Sequence, residues 1–230
     1  MSKVVTIHQP EHLPWLGFFH KIFQADTVVL LDNVPFRKNY FQNRNKVRTA
    51  TGLTWVTVPV KRHLDTKICD VEIAGERWKR KWWDTIYYNY KRSKFFEKYM
   101  EAYFWPDKLF DTLEDLSSFN EELIFDMCLM FDVETPEFIS TERDMKVSGD
   151  GTDLLLDICE ATMADTYLSG PSGRDYLELH KFNEADIEVK FEDFKHPVYK
   201  QLYEPFIYNT SAIDLLFNYG PDSYGILMDE

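Results

Sequence analysis

Three histidines and a glutamate lie close together near the start of the chain, in the segment IHQPEHLPWLGFFHKI at residues 7–22. An imidazole can exchange a proton with a reacting group, and a carboxylate can orient that imidazole. We therefore take His8, Glu11 and His12 as candidate catalytic residues. Gln9 and Trp15, in the same segment, are candidate ligand-binding residues.

No metal site is expected in this segment. His8 and His12 are four residues apart, a spacing that pairs two zinc ligands inside a helix, but Pro10 and Pro14 make the stretch non-helical. An alternative to catalysis is a structural role, in which the histidines cap turns.

A second polar segment, LDNVPFRKNYFQNRNKVR at residues 31–48, follows a short apolar run. Arginine binds phosphate or carboxylate with two parallel hydrogen bonds, and side-chain amides can bind sugar hydroxyls or base edges. The segment therefore predicts an anionic, polyhydroxylated ligand. Its candidate ligand-binding residues are Asp32, Arg37, Lys38, Asn39, Gln42, Asn43 and Arg44.

A third segment, YLSGPSGRDYL at residues 167–177, combines small residues with an arginine. A turn of small residues lets backbone N–H groups approach a phosphate or an oxyanion closely. An ordinary tight turn is the alternative, because Gly and Ser also mark loops. The pattern is neither a Walker loop nor a nucleophile elbow. Its candidate ligand-binding residues are Ser169, Gly170, Ser172, Gly173 and Arg174.

The elements around the first segment predict a parallel sheet. The apolar runs 4–7 and 27–31 are typical of buried strands, and a helix with one apolar face is predicted from Pro14 or Trp15. A strand, a helix and a strand within about 30 residues form a βαβ unit. In open α/β sheets, ligands bind outside the carboxyl ends of the strands, which is where residues 8–12 fall.

The rest of the chain predicts a helical segment and then renewed α/β alternation. Residues 76–132 have helical patterns rich in aromatics and are predicted to form a helical insertion or lid, while WVTVPV before it predicts a further strand. After it, PEFIS, DTYLSG and IEVKFEDF predict strands, and SAIDLLFNYG predicts a helix with Ser211 as its N-cap and Gly220 as its end. We therefore predict a single α/β domain over residues 1–230, with a mostly parallel, Rossmann-like sheet.

The charge distribution favours a small anionic ligand over a nucleic acid. The net charge of −13 argues against general nucleic-acid binding. No acid occurs between Asp32 and Asp65, however, and this stretch is locally basic. Its bases are Arg37, Lys38, Arg44, Lys46, Arg48, Lys61 and Arg62.

The chain is expected to be cytoplasmic. No apolar run is long enough for a membrane span, and residues 1–3 lead directly into a strand-like run instead of a signal peptide. The three widely spaced cysteines fit reduced thiols.

The quoted segments together resemble the WbqC-like family. HQPEHLPWLGFFHKI, LDNVPFRKNYFQNRNKVR with WVTVPV, and YLSGPSGRDYL with SAIDLLFNYG occur in the family's order over nearly the whole chain. The resemblance implies a role in O-antigen, lipopolysaccharide and related polysaccharide biosynthesis, where amino-sugar nucleotides occur and a glycine transferase has been suggested. The family often has tyrosine where this chain has His12, so His8 is the preferred candidate base.

The leading hypothesis is a transferase that N-acylates or aminoacylates, with glycyl as one candidate group, an amino sugar linked to dTDP or UDP. ATP is a candidate cofactor if the acyl group is activated in the same site; otherwise the cofactor is unknown. His8 would be the base, its pKa raised from 6.5 by Glu11 or lowered by the helix N-terminus. The alternatives are a nucleotidyl- or phosphate-transferring α/β enzyme and a non-catalytic binding protein of the polysaccharide machinery. A homo-oligomeric state is left open.

Overall fold

The structure is a computed structural model that describes residues 2–61, 63, 65–110 and 115–229. Arg62 of the basic stretch and residues 111–114 of the predicted helical segment lie outside these ranges. The chain divides into two compact units. The first unit contains Met1–Gln9, His20–Val34 and Thr135–Lys195, and the second unit contains Pro10–Phe19, Pro35–Glu134 and His196–Glu230.

Strands and helices occur in both units. The strands, in chain order, are β1 (Val4–His8), β2 (Thr27–Leu30), β3 (Arg44–Thr49), β4 (Gly52–Thr57), β5 (Val60–Lys61), β6 (Glu72–Ile73), β7 (Glu137–Ser140), β8 (Thr166–Ser169) and β9 (Glu188–Phe191). The α-helices are α1 (Leu16–Ile22), α2 (Arg77–Tyr90), α3 (Phe96–Tyr99), α4 (Pro106–Phe110), α5 (Leu116–Met130), α6 (Thr141–Asp144), α7 (Gly151–Ala161), α8 (Leu179–Glu184), α9 (Ile213–Tyr219) and α10 (Ser223–Met228).

The first unit is built on a five-stranded, all-parallel sheet in the order β7-β2-β1-β8-β9. β1 is central: Val5 pairs with Thr27 of β2 on one side and with Tyr167 of β8 on the other. All residues of β2 and β8 are buried, as expected for strands covered on both faces. The α/β fold with a mostly parallel sheet is confirmed.

Apolar side chains from the sheet and from α7 form the core of the first unit. Val5 and Tyr167 of the sheet belong to one buried cluster with Leu154, Ile158 and Cys159 of α7. Leu154 and Ile158 are four residues apart, as are Leu155 and Cys159, so the helix presents one apolar side to this cluster. This burial holds the central strands, and the residues at their ends, in fixed register.

The second unit contains a β-hairpin that the sequence does not predict. β3 and β4 pair antiparallel, from Arg44 opposite Thr57 to Thr49 opposite Gly52. The strand predicted in WVTVPV is present as β4, which pairs with β3 in a separate two-stranded sheet, and Arg44 is the first residue of β3. The polar sequence of β3 hides its strand character, because it lacks an apolar alternation.

Helices occupy much of residues 76–132, where the sequence predicts them. In α2 the residues Trp78, Trp82, Ile86 and Tyr90 recur every four positions and are buried. Asp115 caps α5 by accepting a hydrogen bond from the Ser118 N–H at 2.8 Å. That this segment is an insertion or lid, and that the chain is one domain, remain predictions.

Gly220 ends helix α9, as predicted, although the N-cap of this helix is Ala212 and not Ser211. The backbone of Gly220 has φ of +59°, a region that side chains disfavour. A Cβ atom at Gly220 would also lie 2.5 Å from the ring of Phe95. The glycine is therefore required both by the backbone and by the packing.

We predict that Gly220→Ala destabilises the protein by about 2–4 kcal/mol, because the cost of a positive φ for alanine and the cost of the clash with Phe95 add together. Urea unfolding monitored by circular dichroism measures this loss. Gly225→Ala is the matched control, since Gly225 lies in α10 and a methyl group added there would have nothing within 4 Å. A Gly220 variant as stable as the Gly225 variant would contradict the prediction.

Candidate functional site

Polar side chains gather at the carboxyl edge of the parallel sheet in the first unit. His8 ends β1, Ser140 ends β7 and Ser169 ends β8, while Asp32 and Glu192 follow β2 and β9 closely. The chain reverses its direction of progress between β1 and β8, because β2 and β7 lie on one side of β1 and β8 and β9 on the other. Ligands bind at this switch point in open α/β sheets, so the edge is the candidate site.

The ring of His8 is held in one tautomer and kept neutral. Its Nδ1 lies 2.9 Å from the carbonyl oxygen of Gln9, and because a carbonyl only accepts, Nδ1 carries the proton. Burial lowers the pKa of His8 to about 3, with the positive charge of Lys21 lowering it further and the Gln9 hydrogen bond opposing. The sequence leaves open whether the pKa of His8 is raised or lowered, and the structure shows that it is lowered. A base with so low a pKa accepts protons weakly at neutral pH.

Lys21 is a buried cation next to the end of β1. Its side chain lies in α1, the residue is 3% exposed, and its Nζ donates a hydrogen bond to the Ile7 carbonyl oxygen at 3.2 Å. Ile7 directly precedes His8 in β1. An ammonium group in this position contributes positive charge to an edge that also carries the Asp32 and Glu192 carboxylates.

His20 and Glu192 form a close pair in the first unit. The distance from His20 Nδ1 to Glu192 Oε1 is 2.6 Å, and the two side chains are 17% and 5% exposed. The carboxylate can only accept, so the shorter contact places the proton on Nδ1. The Gln24 Nε2, which lies 3.0 Å from the same nitrogen, donates to the His20 carbonyl oxygen at 2.8 Å. No described residue hydrogen-bonds to Nε2 of His20. An imidazole oriented by a buried carboxylate, with its second nitrogen available, has the geometry of a general base.

Asp32 stabilises the end of the neighbouring strand from inside the protein. It is 2% exposed. Its Oδ2 accepts a hydrogen bond from the Ser140 hydroxyl at 2.8 Å, and its Oδ1 accepts from the Thr141 hydroxyl at 2.8 Å and the Glu142 N–H at 2.9 Å. The carboxylate thus links the loop after β2 to the start of α6, and the ligand contact predicted for Asp32 remains a prediction.

The turn after β8 offers fewer N–H groups than the sequence indicates. Pro171 has none, and the Gly173 N–H donates to the Gly170 carbonyl at 3.0 Å within a short 3₁₀ helix. Gly173 is instead required by packing, because a Cβ there would lie 2.2 Å from Ser169 Oγ. Ser172 and Arg174 are exposed, and the Arg174 guanidinium lies 4.4 Å from the centre of the Phe191 ring.

His12 lies in the interior of the second unit, with both ring nitrogens hydrogen-bonded. Nε2 accepts from the Trp82 indole N–H at 2.8 Å, and Nδ1 donates to Asn120 Oδ1 at 3.1 Å. The residue is 0% exposed, and burial lowers its pKa to about 4, against the Asn120 hydrogen bond. This geometry gives His12 a structural role and leaves neither nitrogen to act as a catalytic base.

The other candidates of the first segment divide between the units. Gln9 belongs to the first unit, while Glu11 and Trp15 belong to the second. Glu11 is 5% exposed. Trp15 forms an isolated antiparallel bridge with Ser211. Nothing tests the catalytic role predicted for Glu11 or the ligand contacts predicted for Gln9 and Trp15.

The side-chain amides of Gln42 and Asn43, in the second segment, form hydrogen bonds within the protein. Gln42 is 0% exposed, and its Oε1 accepts from the Arg37 N–H at 2.7 Å. Its own carbonyl accepts from the Asn120 amide at 2.7 Å. Asn43 donates to the Val58 carbonyl at 2.8 Å. Both amides therefore shape the loop that precedes β3.

The basic side chains of this segment are more accessible. Arg37, Lys38 and Asn39 are exposed. Arg44 donates to the Asn39 carbonyl at 2.7 Å, and its guanidinium lies 4.3 Å from the centre of the Trp55 ring in a cation–π contact. The second unit thus carries a basic surface whose shape is set by the hairpin.

Local sequence patterns do not identify His20, Lys21 and Glu192 as candidate site residues. His20 and Lys21 lie on the predicted first helix, but nothing in their spacing distinguishes them from solvated helical residues. Glu192 is separated from His20 by 172 positions. Its one local signal is its place directly after a predicted strand, where α/β proteins position ligand-binding residues.

The parallel sheet, its switch point and the polar edge define an α/β protein with a candidate site at the carboxyl ends of its strands. The chain belongs to the WbqC-like protein family, whose model matches residues 9–226. It is 31% identical over 224 residues to "Uncharacterized protein Rv1507c" of Mycobacterium tuberculosis (strain ATCC 25618 / H37Rv), a similarity that covers 96% of each chain. No solved structure shows significant similarity to the chain.

In the part of the chain that the structure describes, no helix is both long and apolar enough to cross a membrane.

We predict that His12→Gln lowers the free energy of unfolding at pH 7.5 by about 1–3 kcal/mol, because Trp82 and Asn120 lose buried partners. The lowered pKa means that His12 contributes stability above pH 6.5 that is lost as the pH falls through about 4. Urea unfolding at pH 7.5 and 4.5 should therefore show a smaller acid-induced loss in the variant. His180→Gln is the control, since His180 is exposed. If the unmodified protein and both variants lose equal free energy of unfolding between pH 7.5 and 4.5, this role of His12 is excluded.

Proposed function

We propose that the protein is a transferase that N-acylates or aminoacylates the amine of a nucleotide-linked amino sugar in surface-polysaccharide biosynthesis. Glycyl is the first group to test, and a dTDP- or UDP-linked sugar is the substrate class. The observation that carries the proposal is the His20–Glu192 pair at 2.6 Å in the first unit, whose sheet ends in a polar carboxyl edge. Membership of the WbqC-like family supports the proposed pathway context.

The reaction requires a base because a sugar amine is protonated at neutral pH. In the proposed step, His20 Nε2 takes a proton from the sugar ammonium. The amine lone pair then forms the new N–C bond to an activated acyl or aminoacyl carbonyl. The bond from that carbonyl to its leaving group breaks, and the nitrogen loses its second proton to water, which leaves a neutral amide. Glu192 stabilises the imidazolium that forms, as an orienting carboxylate does in other imidazole-based sites. An aminoacyl group activated by ATP would leave AMP.

His8 suits a different task in this proposal. Its pKa of about 3 keeps the ring neutral, so it would orient the substrate through hydrogen bonding and not remove the proton. The buried ammonium of Lys21 and the exposed Arg174 supply positive charge in the same unit, which supports an anionic substrate such as a sugar nucleotide.

Mass spectrometry tests the reaction directly. The protein is incubated with dTDP- and UDP-linked amino sugars, glycine and ATP, and the sugar nucleotide is examined for the mass gain of one glycyl residue. Other amino acids and acyl donors follow in the same format. A failure to modify any sugar nucleotide with any donor would refute the transferase proposal and favour a non-catalytic binding protein.

We predict that His20→Gln lowers the rate of this transfer on the order of 10²–10⁴-fold while sugar-nucleotide binding is retained, since glutamine cannot take the proton. Glu192→Gln should give a smaller loss, because its amide oxygen can still accept from Nδ1. Steady-state kinetics measures the transfer rate, and calorimetry measures the affinity for the sugar nucleotide, so the two effects are separated. His180→Gln, in the same unit and exposed, should behave as the unmodified protein. Full activity of the His20 variant would exclude His20 as the base.

A further inference from the structure

The second unit contains an aromatic cavity that the proposed function does not use. It measures about 730 Å³ and is lined mainly by Trp83 and Tyr87 of α2, Phe96 and Glu97 of α3, Glu101 of the following π-helical segment, and Trp105. Its volume lies in the range typical of small-molecule sites. Segments of π-helix are rare and frequently occur at functional sites.

Aromatic rings form two walls of this cavity at right angles. The Trp83 ring stacks on Tyr87 with centroids 4.6 Å apart and an interplanar angle of 15°. The Trp105 ring stands at 84° to Trp83 with centroids 6.5 Å apart. Trp105 is 51% exposed, which is unusual for so large an apolar side chain. The cavity is therefore bordered by aromatic rings, and the Trp105 ring is about half accessible to solvent.

The charge of the lining is negative. Glu97 and Glu101 are both exposed, and within the described ranges neither carboxylate forms an ion pair or a hydrogen bond. None of the described lining residues is basic. Two carboxylates left together beside aromatic rings favour a cation over an anion or a neutral apolar ligand.

Lys91 already forms a cation–π contact with Tyr87, one of the rings that line the cavity. Lys91 places its Nζ 5.2 Å from the centre of the Tyr87 ring and 5.0 Å from that of Tyr88. This contact shows that an ammonium group is accommodated against the aromatic surface of α2, although it also takes up part of the Tyr87 ring. Trp83 and Trp105 are the remaining ring walls for a ligand.

We propose that this cavity binds a small organic ammonium ion, whose charge lies next to the rings of Trp83 and Trp105 on one side and the carboxylates of Glu97 and Glu101 on the other. Aromatic rings combined with carboxylates attract such ions through cation–π and Coulomb interactions, which a neutral molecule of the same shape cannot use. The inference rests on the second unit alone and is independent of the transferase proposal.

Choline and 3,3-dimethyl-1-butanol, its uncharged isostere, are the probes for this site. Isothermal titration calorimetry and ligand-observed NMR should show saturable binding of choline, at least about 5-fold tighter than that of the isostere and weakened by added salt. Equal affinities for the two probes, or no saturable binding of choline, would overturn the proposal.

Variants locate the binding. Trp105→Ala and Glu101→Gln should each weaken choline binding about 5-fold or more, with circular dichroism confirming the fold. Because Glu101 is exposed and its replacement isosteric, that variant tests the proposal even if Trp105→Ala fails to fold. Trp55→Ala is the matched control, since Trp55 is similarly exposed in the same unit but lies on the hairpin. Unchanged choline affinity in the Glu101 variant, or equal losses in the Trp55 and Trp105 variants, would refute the assignment.

Discussion

β1 pairs in parallel with β2 on one side and with β8 on the other, and this pairing determines which side chains meet at the candidate site. Parallel strands place all their carboxyl ends at one edge, so His8 and Ser169 come to the same edge although they are far apart in sequence. Apolar packing of α7 against the sheet maintains the register. A slip of one residue would turn His8 to the other face of the sheet, so the position of its ring depends directly on strand pairing.

Buried charges organise the second unit in a comparable way. Arg48 is 1% exposed, and its guanidinium donates to the carbonyls of Thr49, Gly52, Tyr203 and Pro205, which ties the hairpin to the segment after residue 200. These carbonyls and the Gln201 side chain accept the hydrogen bonds of the guanidinium, and no carboxylate of the described residues forms an ion pair with it, so the acceptors limit the cost of burying its charge.

Asp214 lies in the same unit and shows the cost of burying a charge. Burial raises its pKa from 3.8 to about 6, against hydrogen bonds from Tyr199, Tyr90 and Gln201 and the attraction of Arg48. A carboxyl with a raised pKa contributes stability at acidic pH that is lost as the pH rises through that value. Asp214 therefore lowers the stability at neutral pH relative to pH 4. The lowered pKa of His12 has the opposite effect, because it makes the protein more stable at neutral pH than at pH 4.

The sequence predicts those parts of the fold that local patterns encode. The apolar runs at residues 4–7 and 27–31 identify β1 and β2, and Gly220 marks the end of α9 because its backbone conformation needs a glycine. The hairpin is not predictable in this way, since Arg48 is buried by distant carbonyl groups that no local pattern reveals. Likewise, the position of His8 follows from the end of a strand, whereas the His20–Glu192 contact depends on tertiary structure.

Three imidazoles within thirteen residues of sequence thus have three different environments. His12 is surrounded by aromatic rings and two neutral hydrogen-bonding partners, which favour the uncharged form. His8 is half-buried beside a cation, and both features disfavour protonation. His20 faces a carboxylate, which accepts a hydrogen bond from the neutral ring and attracts the protonated one. Of these three environments, only that of His20 combines a buried carboxylate on one ring nitrogen with a second nitrogen that accepts no hydrogen bond from the described residues. The sequence places the three rings together, but their surroundings decide which of them is suited to move a proton.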